Sequence, residues 1–154
     1  MKPAFTPTAS LKGWTLIELL IACAVAALLA TLSLPALQSA LLRARRTEAI
    51  TALTQIQHAQ ERFRAQAPFY SATLGRGGLE LPESTSRYRL QIELPAGQES
   101  TDHRALAIAQ GSQQADQPCQ VLALVLSAGS VSARSGRTTT LDNSEADNRR
   151  CWGL

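Results

Sequence analysis

The sequence has few of the residues and spacings that mark catalytic centres. It contains two histidines, His58 and His103, and its three cysteines form no Cys-x-x-Cys pair. His58 falls in a helical stretch and His103 in a turn before a strand, so we expect both to be surface residues rather than general bases. No glycine-rich phosphate loop, nucleophile elbow or zinc-ligand spacing occurs. The sequence therefore predicts a protein that is not an enzyme and that uses no cofactor.

Neither sign of charge dominates the chain. Lysine occurs only at Lys2 and Lys12, and the remaining 13 basic residues are arginines, against 12 acidic residues. Because the charges nearly balance, the alkaline pI is not a signature of nucleic-acid binding. With 154 residues, the chain is expected to form one small unit with a single sizeable core.

A long apolar run is the strongest feature that is present. From Trp14 to Leu37, Glu18 is the only charged residue among 24. A helix of this length extends about 36 Å, which is enough to cross a bilayer core of roughly 30 Å. A carboxylate inside such a helix is unfavourable, by about 2.5–3.5 kcal/mol at the centre of the membrane. Glu18 is therefore expected to have a function.

The start of this run, Gly-Trp-Thr-Leu-Ile-Glu-Leu at residues 13–19, resembles the class III signal of type IV pilins. The resemblance implies that a prepilin peptidase cuts between Gly13 and Trp14 and that Trp14 becomes the methylated N-terminus. It implies that Glu18 is the carboxylate used in filament assembly and that Pro35 bends the helix. Trp14 replaces the usual phenylalanine, and Ala27 stands where many members have glycine.

The resemblance and the periodicity together predict the domain organisation. Residues 1–13 are the cleaved leader, residues 14–37 the transmembrane or filament-core half of the helix, and residues 38–154 the head outside the cytoplasm. Apolar residues recur at three- and four-residue steps until Pro68, which predicts one helix from about Trp14 to Gln66. The expected fold class is α+β, the type IV pilin lollipop, with this helix packed on an antiparallel sheet of three or four strands.

Apolar–polar alternation, short apolar runs and turn residues predict the strands. The segment 86–94 is the clearest, followed by 105–109 and by 120–127, which is apolar on both faces and is expected to be central. A weak fourth strand is expected at 131–133. The tail, 135–154, has little apolar content and is expected to be irregular.

The three cysteines are interpreted separately. Cys23, in the apolar run, is interpreted as a small hydrophobic residue. Cys119 and Cys151 belong to the head, which the resemblance puts in an oxidising compartment, so a disulfide is favoured over two free thiols or a metal site. A Cys-Trp ending is similar to that of PilE-type minor pilins, which extends the resemblance to the C-terminus.

Two charged groups near the C-terminus are weaker candidates. Asp142, Glu145 and Asp147 form an acidic loop like the calcium loop of some secretion pseudopilins, but the EF-hand spacing is absent and a solvated loop is favoured. Four arginines are candidates for DNA contact, as in some competence pilins, although solvated surface arginines are the favoured alternative; they are Arg134, Arg137, Arg149 and Arg150.

The sequence thus predicts a structural subunit, a minor type IV pilin that takes part in pilus assembly. The alternatives are a type II secretion pseudopilin and a DNA-binding competence pilin. The expected partners are prepilin peptidase, other pilin subunits, the inner-membrane assembly platform and, in the competence alternative, DNA. Before assembly the protein is expected in the inner membrane as a single-pass protein with its head outside the cytoplasm, and afterwards in the pilus.

Overall fold

A computed structural model describes residue 13 and residues 15–154, without the side chains of residues 32 and 33. Its first element is helix α1, Leu16–Arg64, which is 49 residues long and contains Pro35. By length and composition, the helix is long and apolar enough to cross a membrane. It agrees with the predicted helix to within two residues at each end.

The chain divides into two compact units, one ending at Gln38 and the other comprising Ser39–Leu154. In the first unit the large apolar side chains of α1 are exposed, with Leu16 at 76%. Burial of apolar surface is the main favourable term in folding, so these side chains require a membrane or a partner helix to cover them.

The second unit contains a four-stranded antiparallel sheet in the order β1-β2-β3-β4. The strands are β1 (Tyr88–Glu93), β2 (His103–Ala109), β3 (Val121–Ser127) and β4 (Ser130–Gly136). Strand β3 is internal, as its apolar composition predicted, and β4 is longer than expected. A 3-10 turn, Gly111–Ala115, lies between β2 and β3.

The main core lies between the sheet and the part of α1 within the second unit. Ala49, Leu53 and Ile56 of α1 are buried against the inner face of the sheet. That face presents large side chains from β1, including Tyr88, and alanines from β2. The α+β class and the antiparallel sheet packed on a long helix are therefore confirmed.

The prediction of an irregular tail is wrong. A second helix, α2, spans Glu145–Trp152, and the Ser144 side chain caps its start by accepting a hydrogen bond from the Asp147 amide. Gly153 ends it in the left-handed conformation, which glycine adopts without strain. Asn148 and Cys151 are buried, so the tail is held by packing as well as by the disulfide.

Candidate nucleic-acid interface and its supporting core

The C-terminal helix is joined covalently to the sheet. Cys119, just before β3, forms a disulfide with Cys151 in the last turn of α2, and their Cα atoms are 5.5 Å apart. This is the predicted pairing, and it excludes the alternatives of two free thiols and a metal site at these cysteines. Cys23 is a free, exposed cysteine on the first half of α1.

A buried ion pair lies beside the disulfide. Arg46 of α1, which is 6% exposed, donates two hydrogen bonds to the Asp116 carboxylate, both of 2.6 Å. Its third nitrogen donates to the carbonyl oxygens of Arg150 and Cys151, at 3.0 and 3.4 Å. A two-point contact of this kind is the strong form of a charge-assisted hydrogen bond. Arg46 therefore connects α1 to the β2–β3 connection and to α2.

Gln113 extends this buried network. Its side-chain amide donates to the Leu42 carbonyl at 3.1 Å and to the Asp116 carboxylate at 2.9 Å. Tyr88 packs nearby in the core, where burial, followed by the negative charge of Asp116, raises the pKa of its hydroxyl to about 12. The network contains no spare charge, so its role is to hold three elements together rather than to bind a ligand.

His103 is not the surface residue that the sequence predicted. Its side chain is fully buried, and its Nε2 atom lies 3.0 Å from the Gln57 side-chain oxygen on α1. Its ring lies 4.5 Å from the ring of Tyr70. Burial lowers the pKa of the imidazole to about 4, although the negative charge of Asp102 acts to raise it. The ring is therefore neutral near pH 7 and belongs to the core, whereas His58 is exposed as expected.

The acidic candidates lie around the start of α2. Asp142 is exposed in the preceding segment, and Glu145 and Asp147 occupy the first turn of the helix. Acidic side chains are favourable there because the N-terminal end of a helix is electropositive. Among the residues that the structure describes, no group of histidine, cysteine and acidic side chains is arranged to hold a metal ion.

The outer face of the sheet, the side away from α1, carries two arginines that come together. Arg104 of β2 and Arg134 of β4 line one cavity of about 280 Å³, together with the hydroxyl residues Ser127, Ser132 and Thr140. Strand register explains this proximity. Arg104 pairs with Val125 of β3, and Arg134 pairs with Ala123 of the same strand, two positions away and on the same face. Arg134 was predicted from the sequence, but Arg104 was missed. Its position between residues that face the core, in the alternating pattern of β2, could have shown that it lies on the outer face.

The segment after β4 completes this cavity by folding back over the outer face. A side chain at Gly136 would come within 2.9 Å of the Leu141 backbone and of the Thr138 carbonyl oxygen, so only glycine permits this approach. Leu141 then packs with Val121, Ala123 and other apolar residues of a second, smaller core. The arginine-lined cavity therefore rests on a packed apolar layer.

The other three predicted DNA-contact residues do not line this cavity. Arg137 follows β4 and is exposed. Arg149 and Arg150 are exposed on α2, and Arg150 lines a different cavity, of about 390 Å³, with Arg43 and Arg46. The four candidates are thus distributed over two regions of the second unit.

The ion pairs of the described chain leave the outer-face arginines without a carboxylate partner. The two pairs found there are Arg46–Asp116 and Arg87–Glu48. Burial alone would raise the pKa of Glu48, but hydrogen bonds from Thr85, Arg87 and Ser86 lower it to about 2. Arg104 does have an acidic neighbour, since Glu93 is its register partner on β1.

The residues of the N-terminal motif are only partly described. Gly13 and Glu18 are exposed, and the Glu18 amide donates to the Thr15 hydroxyl at 3.3 Å. Pro35 lies inside α1. Trp14 and the first 12 residues of the predicted leader lie outside the described residues, so cleavage and methylation remain predictions.

Comparison with known protein families shows to which family the chain belongs. The family described as type IV minor pilin ComP, DNA uptake sequence receptor, matches residues 35–123, more than half of the chain. This chain belongs to the ComP family of type IV minor pilins. No match was found among the curated proteins.

Membership in this family of minor pilins agrees with the structural features already described. The protein is a minor type IV pilin that takes part in pilus assembly, with other pilin subunits as partners, and its family is structural rather than catalytic. The exposed apolar half of α1 and the disulfide fit a subunit that is anchored in a membrane before it enters a pilus. The match favours a pilus subunit over a secretion pseudopilin.

Proposed function

We propose that this minor pilin binds double-stranded DNA during uptake, and that the outer face of the sheet is the binding surface. The observation behind this proposal is the cavity lined by Arg104 and Arg134, whose lining includes no acidic residue. The description of the matching family as a DNA uptake sequence receptor supports it. Arg137, exposed just after β4, adds a third positive charge close in sequence.

The chemistry of the surface suits a phosphate backbone. Guanidinium groups and hydroxyl groups are common donors to phosphate oxygens, and such contacts position a protein on a duplex. With Glu93 beside Arg104, the three arginines retain a local excess of two positive charges. Three phosphate contacts would make the logarithm of the binding constant fall with that of the salt concentration, with a slope of about −2.7.

The test is a titration of duplex DNA with the full-length protein in detergent, followed by fluorescence anisotropy at several salt concentrations. Arg104→Gln and Arg134→Gln should each weaken binding and reduce the salt slope by about one. Arg76→Gln is the matched control, because Arg76 is exposed in a loop and lies outside the cavity. Equal losses in all three variants, or no loss in any, would show that the outer face is not the DNA site.

Assembly is proposed to depend on the N-terminal motif. Prepilin peptidase would cut after Gly13 and methylate Trp14, and the inner-membrane assembly platform would then move the subunit into the filament. Glu18 would pair with the Trp14 amine of a neighbouring subunit, which offsets the desolvation of both charges. The exposure of Glu18 and its isolation within the apolar run support this pairing.

Two substitutions test the assembly proposal separately from DNA binding. Gly13→Val should leave the precursor at its full size, and Glu18→Ala should be processed but absent from sheared filaments. Glu18→Asp, which keeps the charge on a shorter side chain, is the matched control and should retain partial incorporation. Normal incorporation of Glu18→Ala would rule out the pairing.

A further inference from the structure

Two adjoining cavities lie where α1 meets the C-terminal helix, and we refer to them together as the C-terminal basin. One has a volume of about 390 Å³ and the other of about 150 Å³. Arg43, Arg46 and Arg150 line both. Leu42 contributes apolar surface to the larger cavity, and Ile50 and Trp152 contribute it to the smaller one. The basin thus combines arginines with apolar walls.

The charges in the basin do not cancel. Asp116 is the only acidic residue in its lining, and both carboxylate oxygens of Asp116 already accept hydrogen bonds from Arg46. Arg150 engages the network only through its carbonyl, and its side chain is exposed. Neither Arg43 nor Arg150 forms an ion pair with any described residue. Two positive charges therefore face the basin without a carboxylate.

The position of Arg43 along α1 indicates what neutralises these charges. Arg43 comes six positions after Leu37, the end of the apolar run, in the sequence of α1. Its guanidinium is held back towards the N-terminus of the helix by hydrogen bonds to the carbonyl and hydroxyl oxygens of Ser39, at 3.3 and 3.2 Å. If the apolar run spans the bilayer core, a long basic side chain this few positions beyond its end is expected among the lipid headgroups.

We propose that the C-terminal basin binds the phosphate group of an anionic membrane lipid through Arg43 and Arg150. The lipid phosphate supplies the missing negative charge, and the apolar walls accommodate the adjoining glycerol and upper acyl carbons. Binding would hold the C-terminal helix against the membrane surface before the subunit enters the filament. This inference rests on insertion of the apolar run into a membrane and is independent of the DNA proposal.

The experiment uses the tryptophan in the basin as its probe. Trp14→Phe leaves Trp152 as the only tryptophan of the full-length chain. The protein is placed in lipid nanodiscs that contain a small fraction of lipid with a nitroxide on its headgroup. In the neutral discs the remaining lipid is phosphatidylcholine, and in the anionic discs it is a mixture of phosphatidylcholine and phosphatidylglycerol. We expect stronger quenching of Trp152 fluorescence in the anionic discs.

Matched variants separate a specific site from general charge attraction. Arg43→Gln/Arg150→Gln should shift the docking equilibrium about thirty-fold, since each arginine near an anionic surface contributes roughly fivefold. Quenching should then fall to the level of the neutral discs. Arg62→Gln/Arg149→Gln removes the same charge from the same two helices outside the basin, and it should behave like the parent. Melting curves verify that each variant is folded.

Several outcomes would overturn the proposal. Equal quenching in both kinds of disc, or equal losses in the two double variants, would show that no specific lipid site exists. A change in Trp152 emission caused by inorganic phosphate in detergent, dependent on Arg150 and without any lipid effect, would identify a soluble anion as the ligand. Loss of DNA binding by Arg43→Gln/Arg150→Gln with unchanged quenching would assign the basin to DNA instead.

Discussion

The two faces of the sheet use polar residues in opposite ways. On the side of α1, Arg46 and His103 are buried, and each has a defined partner on another element. On the outer face, Arg104 and Arg134 are exposed and line an open cavity without a carboxylate. A buried charge must be paired because its desolvation is otherwise too unfavourable. An exposed charge is solvated by water, so it needs no partner in the protein and is available to bind a ligand. The same residue type therefore stabilises the fold on one face and is available for binding on the other.

The largest expected effect comes from breaking the buried ion pair. Arg46→Met would leave the Asp116 carboxylate buried without its cation, so the free energy of unfolding should fall by about 3–5 kcal/mol. Denaturant titration of the full-length protein in detergent measures this loss. Arg46→Met/Asp116→Leu should recover much of it, and Arg45→Met, which removes only an exposed contact to Ser112, is the control. Equal losses in Arg45→Met and Arg46→Met would contradict the contrast between the faces.

Removing the disulfide tests the covalent part of the same region. Cys119 and Cys151 are 32 residues apart, and opening this loop should lower the free energy of unfolding by about 3–4 kcal/mol on the chain-entropy model. Cys119→Ser/Cys151→Ser and chemical reduction of the parent protein should agree. Cys23→Ser, at the free cysteine, should leave stability unchanged. A double variant as stable as the parent would mean that packing of α2 alone holds the tail.

The buried imidazole makes the inner face sensitive to pH. The pKa of His103 is about 4 in the folded protein against an ordinary value of 6.5, so the unfolded chain binds more protons between these values. The neutral ring therefore makes its whole contribution to the free energy of unfolding above pH 6.5. This contribution is lost as the pH falls towards 4, by up to about 3 kcal/mol.

Comparison of the parent with His103→Gln isolates this contribution, since glutamine stays neutral throughout. The parent should lose stability between pH 6.5 and 4 relative to the variant, as followed by thermal melting. Glu48 acts mainly at lower pH, between its ordinary pKa of 4.5 and about 2, and is common to both proteins. Parallel pH profiles would show that His103 is solvated in solution.

The smallest expected effect on stability belongs to the outer face. Arg104→Gln and Arg134→Gln should each change the free energy of unfolding by no more than about 0.5 kcal/mol, because the side chains are exposed and without an ion pair. The same variants are expected to weaken DNA binding. A loss of stability as large as that of Arg46→Met would show that these arginines also hold the fold.

Parts of the structure with a local repeating pattern were predictable. The helical period led to α1 within two residues of its observed ends. Alternation, an apolar run and turn residues located the four strands, although β2 and β4 were predicted too short. Helix α2 was missed because its short, charged sequence lacks an apolar stripe. The spacing of Ser144 and Asp147, a hydroxyl followed three residues later by an acid, was a capping signal that could have revealed it.

The candidate site was only partly predictable, because its residues meet through the sheet. Arg134 was identified from the sequence, but its neighbour Arg104 lies 30 positions earlier and is brought close by the register of three strands. Arg149 and Arg150 were grouped with Arg134 by sequence proximity alone. In the folded chain, Arg150 instead lines a cavity with Arg43 of α1.

By itself, the sequence determined the apolar run, its isolated Glu18, the long helix and the alternation of the strands, because each depends on residues a few positions apart. It also indicated the Cys119–Cys151 disulfide, because the resemblance to type IV pilins predicts an oxidising compartment for the head, where two cysteines pair. Only the tertiary structure decided which arginines are paired and which are free. Asp116 reaches Arg46 across 70 positions, and His103 becomes buried only when α1 covers the sheet. No local pattern encodes such contacts, since the partner of a buried charge is set by how the elements pack.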